Sequence, residues 1–374
     1  MAKLKSKKEQ MKFLKKLTLS NKIERVDWND FPGTLESIEI ESMYTNLPPN
    51  KNFPNLNRLS ILMESSFTEN YFSVKELKLN QVKMLSPNVS FENFSSLEKI
   101  YVSCNRIGGS FVENLQKTNV PVFLNCDSKA VSLWSQTTLF VESIELFDSD
   151  SFNSIFETVS KFNQCKHLSM NKNDFFFSQE DTCKILEMNH LDSLELKFFH
   201  RLIDNAFLPI CNLKSLTSLS ISHCKLLTDD IASHLNLISK QLKSLAIISL
   251  DITDKFFEIL NNFDLLFCLT VSSCKKLTDK IFNFFDFPSL RYLDLSNNNF
   301  TDCITPFIVK KFPMITQINF ERNRYFSDIS LDSLLQINLL SSINVFGTSV
   351  TNEGAEKLRK HPVRPFVNIH SFQN

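Results

Sequence analysis

Leu216-Thr217-Ser218-Leu219-Ser220-Ile221-Ser222-His223-Cys224-Lys225-Leu226-Leu227-Thr228-Asp229 and Leu266-Phe267-Cys268-Leu269-Thr270-Val271-Ser272-Ser273-Cys274-Lys275-Lys276-Leu277-Thr278-Asp279 follow one pattern. An apolar-x-x-apolar-x-apolar triplet leads to a cysteine and then to Thr-Asp. The triplet recurs at Leu191-Leu194-Leu196, Leu242-Leu245-Ile247, Leu290-Leu293-Leu295, Ile315-Ile318-Phe320 and Leu340-Ile343-Val345, and the central positions from 194 to 343 step by 25, 26, 24, 24, 25 and 25. Looser copies precede them, among them Leu35-Ile38-Ile40, Leu56-Leu59-Ile61, Leu97-Ile100-Val102 and Val141-Ile144-Leu146. A fixed period between about 20 and 50 residues marks a solenoid, in which each unit buries its apolar side only against its neighbours.

The second recurring element sets the local structure. Thr228-Asp229, Thr253-Asp254, Thr278-Asp279, Thr301-Asp302, Ser327-Asp328 and Thr351-Asn352 are helix-start signals. The hydroxyl can accept from a free N–H of the first turn, and the following acid lies at the positive end of the helix dipole. Each unit therefore reads as a short strand, a tight turn and a returning helix. The expected fold is α/β: a curved solenoid with parallel strands on its concave face and helices on its convex face. Triplet side chains point inward and the residues between them outward.

Three residues beyond the triplet stand Asn105, Asn173, Cys224, Cys274, Asn298 and Asn323, amides or thiols able to bond the adjoining turn. With this position included, the pattern resembles the leucine-rich repeat family in its cysteine-containing form, similar to the repeat arms of F-box substrate receptors and to ribonuclease-inhibitor-like repeats. The resemblance is sharpest from Leu191 to Asn352. It implies a protein-binding scaffold, and for the F-box relatives a ubiquitin-ligase receptor, although residues 1–34 contain no recognisable F-box.

Composition narrows the classes further. Five glycines in 374 residues, with only Gly108 and Gly109 adjacent, leave no glycine-rich phosphate loop or dinucleotide fingerprint. The 41 basic and 41 acidic residues balance, so no net field favours nucleic acid. The 36 phenylalanines read as core filler. No apolar run approaches the roughly 18 residues of a membrane span. Nine cysteines without a C-x-x-C pair suit reduced thiols, hence a cytoplasmic protein with the nucleus as the alternative. The expected organisation is a basic N-terminal cap at 1–34, a solenoid of about 14 units at 35–360 and a C-terminal cap strand at 361–374. The lysines of the first 16 residues fit either a solvated cap or a targeting segment.

No catalytic residue, metal site or cofactor is expected. Cys165 occupies an inward triplet position and His167 an outward strand position, so they point to opposite faces and cannot share an ion. A less favoured reading, a leucine-rich GTPase activator, would use Arg106, Arg322 or Arg324 just past strand ends. The outward strand positions carry the functional expectation: a partner protein bound by a monomer on the concave face. Tyr101, Phe123, Phe147, Tyr292 and Phe346 are the aromatic anchors, with His167, Glu195, Lys197, Asp294 and Glu321 as polar contacts. The nine outward positions from Ser218 to Ser272 form an uncharged shelf.

Overall fold

The computed structural model describes residues 13–20, 23, 25–41, 46–62, 70–82, 91–104, 109–126, 141–147, 159–171, 184, 188, 190–260, 263–360 and 366–368. It comprises two units, Met1–His167 and Leu168–Asn374.

The first unit holds β1 (Lys16–Leu19), β2 (Ser37–Ile40), β3 (Arg58–Leu62), β4 (Glu76–Val82), β5 (Lys99–Cys104), β6 (Val122–Cys126) and β7 (Val141–Phe147). Each strand pairs in parallel with the next. The described crossovers include single 3-10 turns at Trp28–Asp30 and Asn50–Asn52 and the helix α1 (Gly109–Gln116). Pro32, Pro48 and Pro49 remove donors where longer helices would otherwise run.

In the second unit, β8 (His167–Asn171) begins at the unit boundary and is followed by β9 (Ser193–Lys197), β10 (Ser218–Ser222), β11 (Ser244–Ile248), β12 (Cys268–Ser272), β13 (Tyr292–Asp294), β14 (Gln317–Asn319), β15 (Ser342–Asn344) and β16 (Phe366–Asn368). From β9 onward each pairs in parallel with its successor. The register puts Leu194, Leu219, Leu245, Leu269, Leu293, Ile318 and Ile343 opposite one another, each no more than 2% exposed. Burying each such side chain stabilises the fold by about 1.5–3 kcal/mol. The returning helices are α2 (Asp204–Phe207), α3 (Ile231–Leu235), α4 (Asp254–Ile259), α5 (Thr305–Lys311), α6 (Leu331–Leu334) and α7 (Asn352–Lys360). The turn at Asp279–Asn283 is wholly 3-10. Phenylalanine fills the space between helices and sheet, with Phe257 4.9 Å from Phe285 and Phe285 5.1 Å from Phe287 by ring centroids. Both units are thus α/β solenoid, as the periodicity implies.

Three columns of repeated contacts join successive repeats of the second unit. In the first, Cys224 Sγ lies 3.9 Å from the carbonyl of Leu196 and Cys274 Sγ 3.8 Å from that of Ile247, each in the preceding repeat. Asn298 does the same more strongly, donating to Val271 O at 2.7 Å and Leu295 O at 2.8 Å while accepting from Cys274 N at 2.8 Å. Asn323 repeats the arrangement on Leu295 and Phe320. Asn105 and Asn173 lie outside the described residues.

The Thr-Asp column differs from expectation. The hydroxyls of Thr253, Thr278, Thr301 and Ser327 do cap their helical turns. The carboxylates, however, reach the next repeat: Asp204 holds Thr228, Asp229 holds Thr253, Asp254 holds Thr278, Asp279 holds Thr301, Asp302 holds Ser327 and Asp328 holds Thr351, each through both backbone N–H and hydroxyl.

The third column is conformational. Phe198, His223, Ser249, Ser273, Asn297, Arg322 and Gly347 all have φ between 53° and 67°. The left-handed turn lets the N–H of His223 reach Ile248 O at 2.9 Å and that of Ser249 reach Ser272 O at 2.9 Å, extending the ladder past the strand ends.

Candidate functional site

Strand alternation places Tyr101, Phe123 and Phe147 in the first unit, and Glu195, Lys197, Tyr292 and Asp294 in the second, on the sheet face away from the buried triplets. In the first, Tyr101 and Phe123 stand opposite one another on β5 and β6 and their rings stack at 4.6 Å with 21° between planes. They floor a cavity of about 370 Å³ that Lys78, Asn125, Ser143 and Glu145 also line. Asn125 donates to Glu145 Oε2 at 2.8 Å. Phe147 is half-buried at the end of β7, and His167 is exposed. Cys165 is buried in the turn before β8, where desolvation raises its thiol pKa to about 12.

In the second unit, Glu195 pairs with Lys197 at 2.9 Å and accepts from Ser169 Oγ at 2.7 Å. Tyr292 donates to Asp294 Oδ2 at 3.3 Å. Burial and then the Asp294 charge push the Tyr292 phenol up to about 12, so it stays a donor. Asp294 also accepts from Ser296 N at 2.8 Å and Asn319 Nδ2 at 2.9 Å.

Two details of the expected surface are corrected. Ser222 is 4% exposed and leaves the shelf. Glu321 and Phe346 lie two residues past the ends of β14 and β15 and not on the strands. The reason is local: Asn319 Oδ1 takes the N–H of Glu321 at 3.0 Å and Asn344 Oδ1 that of Phe346 at 3.1 Å, removing those donors from strand pairing. Among the described residues no group of three or more metal-binding side chains assembles. Arg322 lies 3.6 Å from Glu321, and Arg106 is outside the described residues.

Sequence reasoning overlooked Asn125, which shares the face of Phe123 two residues away, and the Asp294–Asn319 contact. Alternation alone gives the first. The second requires strand register.

Residues 212–235 and 289–310 match leucine-rich repeat family models. No curated protein matches the chain by sequence. Among solved structures, the Rad7 and Elc1 complex of yeast aligns at 18% identity with a TM-score of 0.53 over 79% of this chain and 80% of that one. An internalin of Listeria monocytogenes aligns at 15% identity and TM-score 0.43 over 97% and 89%, and a leucine-rich repeat protein of Leptospira interrogans at 13% and 0.41 over 98% and 98%. No described helix is long and apolar enough to cross a membrane. The two matched stretches are leucine-rich repeats, and they are set in a parallel α/β solenoid.

Proposed function

We propose that the chain is a non-enzymatic scaffold that binds a partner protein on its concave strand face. The observation that carries this reading is the arrangement of aromatic and polar side chains on a preordered sheet, above all the Tyr101–Phe123 stack beside an open cavity. Side chains fixed before the partner arrives lose less entropy on binding. Cys165, Cys211, Cys224, Cys268, Cys274 and Cys303 are free thiols, which supports a cytoplasmic or nuclear setting. The chain acts as a monomer in this reading, with segments 1–34 and 361–374 capping a solenoid at 35–360. Exchanging Tyr292 and Phe346, or Tyr101 and Phe123, for Ser should weaken a purified partner by about 2 kcal/mol for each true hot spot while leaving the melting temperature nearly unchanged. Full affinity in both double variants would refute the reading.

A second reading, a ubiquitin-ligase substrate receptor, is favoured by the buried Cys224 and Cys274 of the cysteine-containing repeat. Its test is co-purification of adaptor and cullin subunits with the native protein.

A further inference from the structure

Several charges on the first unit's strand side are neutralised by the neighbouring repeat. Lys15 pairs with Glu36 at 2.8 Å, Arg58 with Glu76 at 3.0 Å and Lys75 with Glu98 at 2.7 Å. The cavity floored by Tyr101 and Phe123 departs from this. Lys78, opposite Tyr101, has no ion pair among the described residues, and Glu76 on its own strand is taken by Arg58. Glu145, two residues past the partner of Phe123, is bonded to the neutral Asn125 and, among the described residues, to no cation. The cavity therefore runs from an uncompensated ammonium, across a stacked ring pair, to an uncompensated carboxylate.

Resting on the scaffold reading above, we infer that this cavity takes an extended segment of a partner protein with the order acidic-x-aromatic-x-basic. The spacing follows from geometry. Lys78 and Ser143 stand three strands apart, or about 14 Å at about 4.8 Å per strand. An extended chain advances about 3.4 Å per residue, so residues i and i+4 span nearly the same distance, and a long basic side chain reaches onward to Glu145. Alternation places i, i+2 and i+4 on one face, which directs an acid to Lys78, an aromatic ring to the Tyr101–Phe123 pair and a base to Glu145. The groove supplies opposite charges at its two ends, which selects register and direction more than raw affinity.

The test uses three fluorescein-labelled peptides, Ser-Gly flanked, with cores Asp-Ser-Phe-Ser-Arg, Asp-Ser-Phe-Ser-Asp and Arg-Ser-Phe-Ser-Arg, titrated against the full chain by anisotropy. The mixed-charge peptide should bind about tenfold more tightly than either like-charged one. Glu145→Lys should transfer the preference to the Asp-Ser-Phe-Ser-Asp core. Glu145→Gln should abolish the difference between that core and the mixed-charge one without changing the circular dichroism melt. Equal binding of all three peptides, no binding of any, or a ranking indifferent to Glu145→Lys overturns the inference. The scaffold reading fails separately, if a purified partner is insensitive to every strand-face aromatic.

Discussion

The carboxylate of Asp229 grips Thr253 in the next repeat at two points, 2.7 Å from its backbone nitrogen and 2.6 Å from its hydroxyl oxygen. The same hydroxyl accepts from Lys255 N at 3.3 Å. One threonine thus links the end of one turn to the start of the next helix.

Removing one such carboxylate should loosen two repeats together. Asp254→Ala leaves Thr278 without its acceptor, and the loss should be about 1–2 kcal/mol because the rung is partly open to water. Asp254→Asn, which keeps one acceptor, should lose less. Urea denaturation of both variants checks this, and equal stability of Asp254→Ala and wild type would remove the rungs from the account.

Gly354 should resist even alanine. A Cβ there would run into the Asp328 carboxylate that holds Thr351. In a calorimetric melt, Gly354→Ala is expected to lower the melting temperature by several degrees, and Gly354→Ala with Asp328→Ala to lower it no further.

Ser249 makes the opposite prediction. Its φ of 53° costs an L-residue roughly 1 kcal/mol that glycine avoids. Ser249→Gly should therefore be neutral or stabilising by up to about 1 kcal/mol, where glycine substitution within a strand destabilises. A clear loss of stability on denaturation would show that the left-handed column is held by side-chain contacts.

Thiol chemistry should separate the cysteines. Burial raises the thiols of Cys224 to about 12 and Cys274 to about 11, whereas Cys303 is exposed. In native protein a thiol reagent should modify Cys303 quickly and the two ladder cysteines only on unfolding, as peptide mapping would read. Prompt labelling of Cys224 would contradict its place between repeats.

His223 should give a pH signature. Its ring stacks on Phe198 at 4.4 Å, and burial, then His200, then Lys225 lower its pKa from 6.5. A base with a depressed folded pKa contributes stability above its unfolded value that is lost as pH falls toward the folded pKa. Stability should therefore drop as pH falls below about 6.5, less so in His223→Gln. An NMR titration placing His223 above 6.5 would reverse the sign.

The triplets made the strands and their phase legible, because burial forces apolar residues into every second strand position. The cap hydroxyls were legible too, since a threonine before a helix has few other uses. The inter-repeat grip of Asp229 was not, because a carboxylate at a helix start has two uses and only the neighbouring turn decides between them. The left-handed column was invisible, for Phe198, His223, Ser249 and Arg322 share no chemistry and only a backbone angle. At the candidate site the outward position of Tyr101 and Phe123 followed from alternation and their facing one another from strand register, while the release of Glu321 and Phe346 from the strands depended on Asn319 and Asn344 capturing donors locally.

Because each aspartate grips the repeat after its own, every joint in this column of the second unit is the same joint. Excising 230–254 would bring Asp229 to the place of Asp254, within reach of Thr278, and a duplicated stretch would meet its neighbours as readily. In this column the second unit can thus lose or gain one repeat with every carboxylate-to-hydroxyl joint kept, so nothing in these rungs fixes the number of repeats.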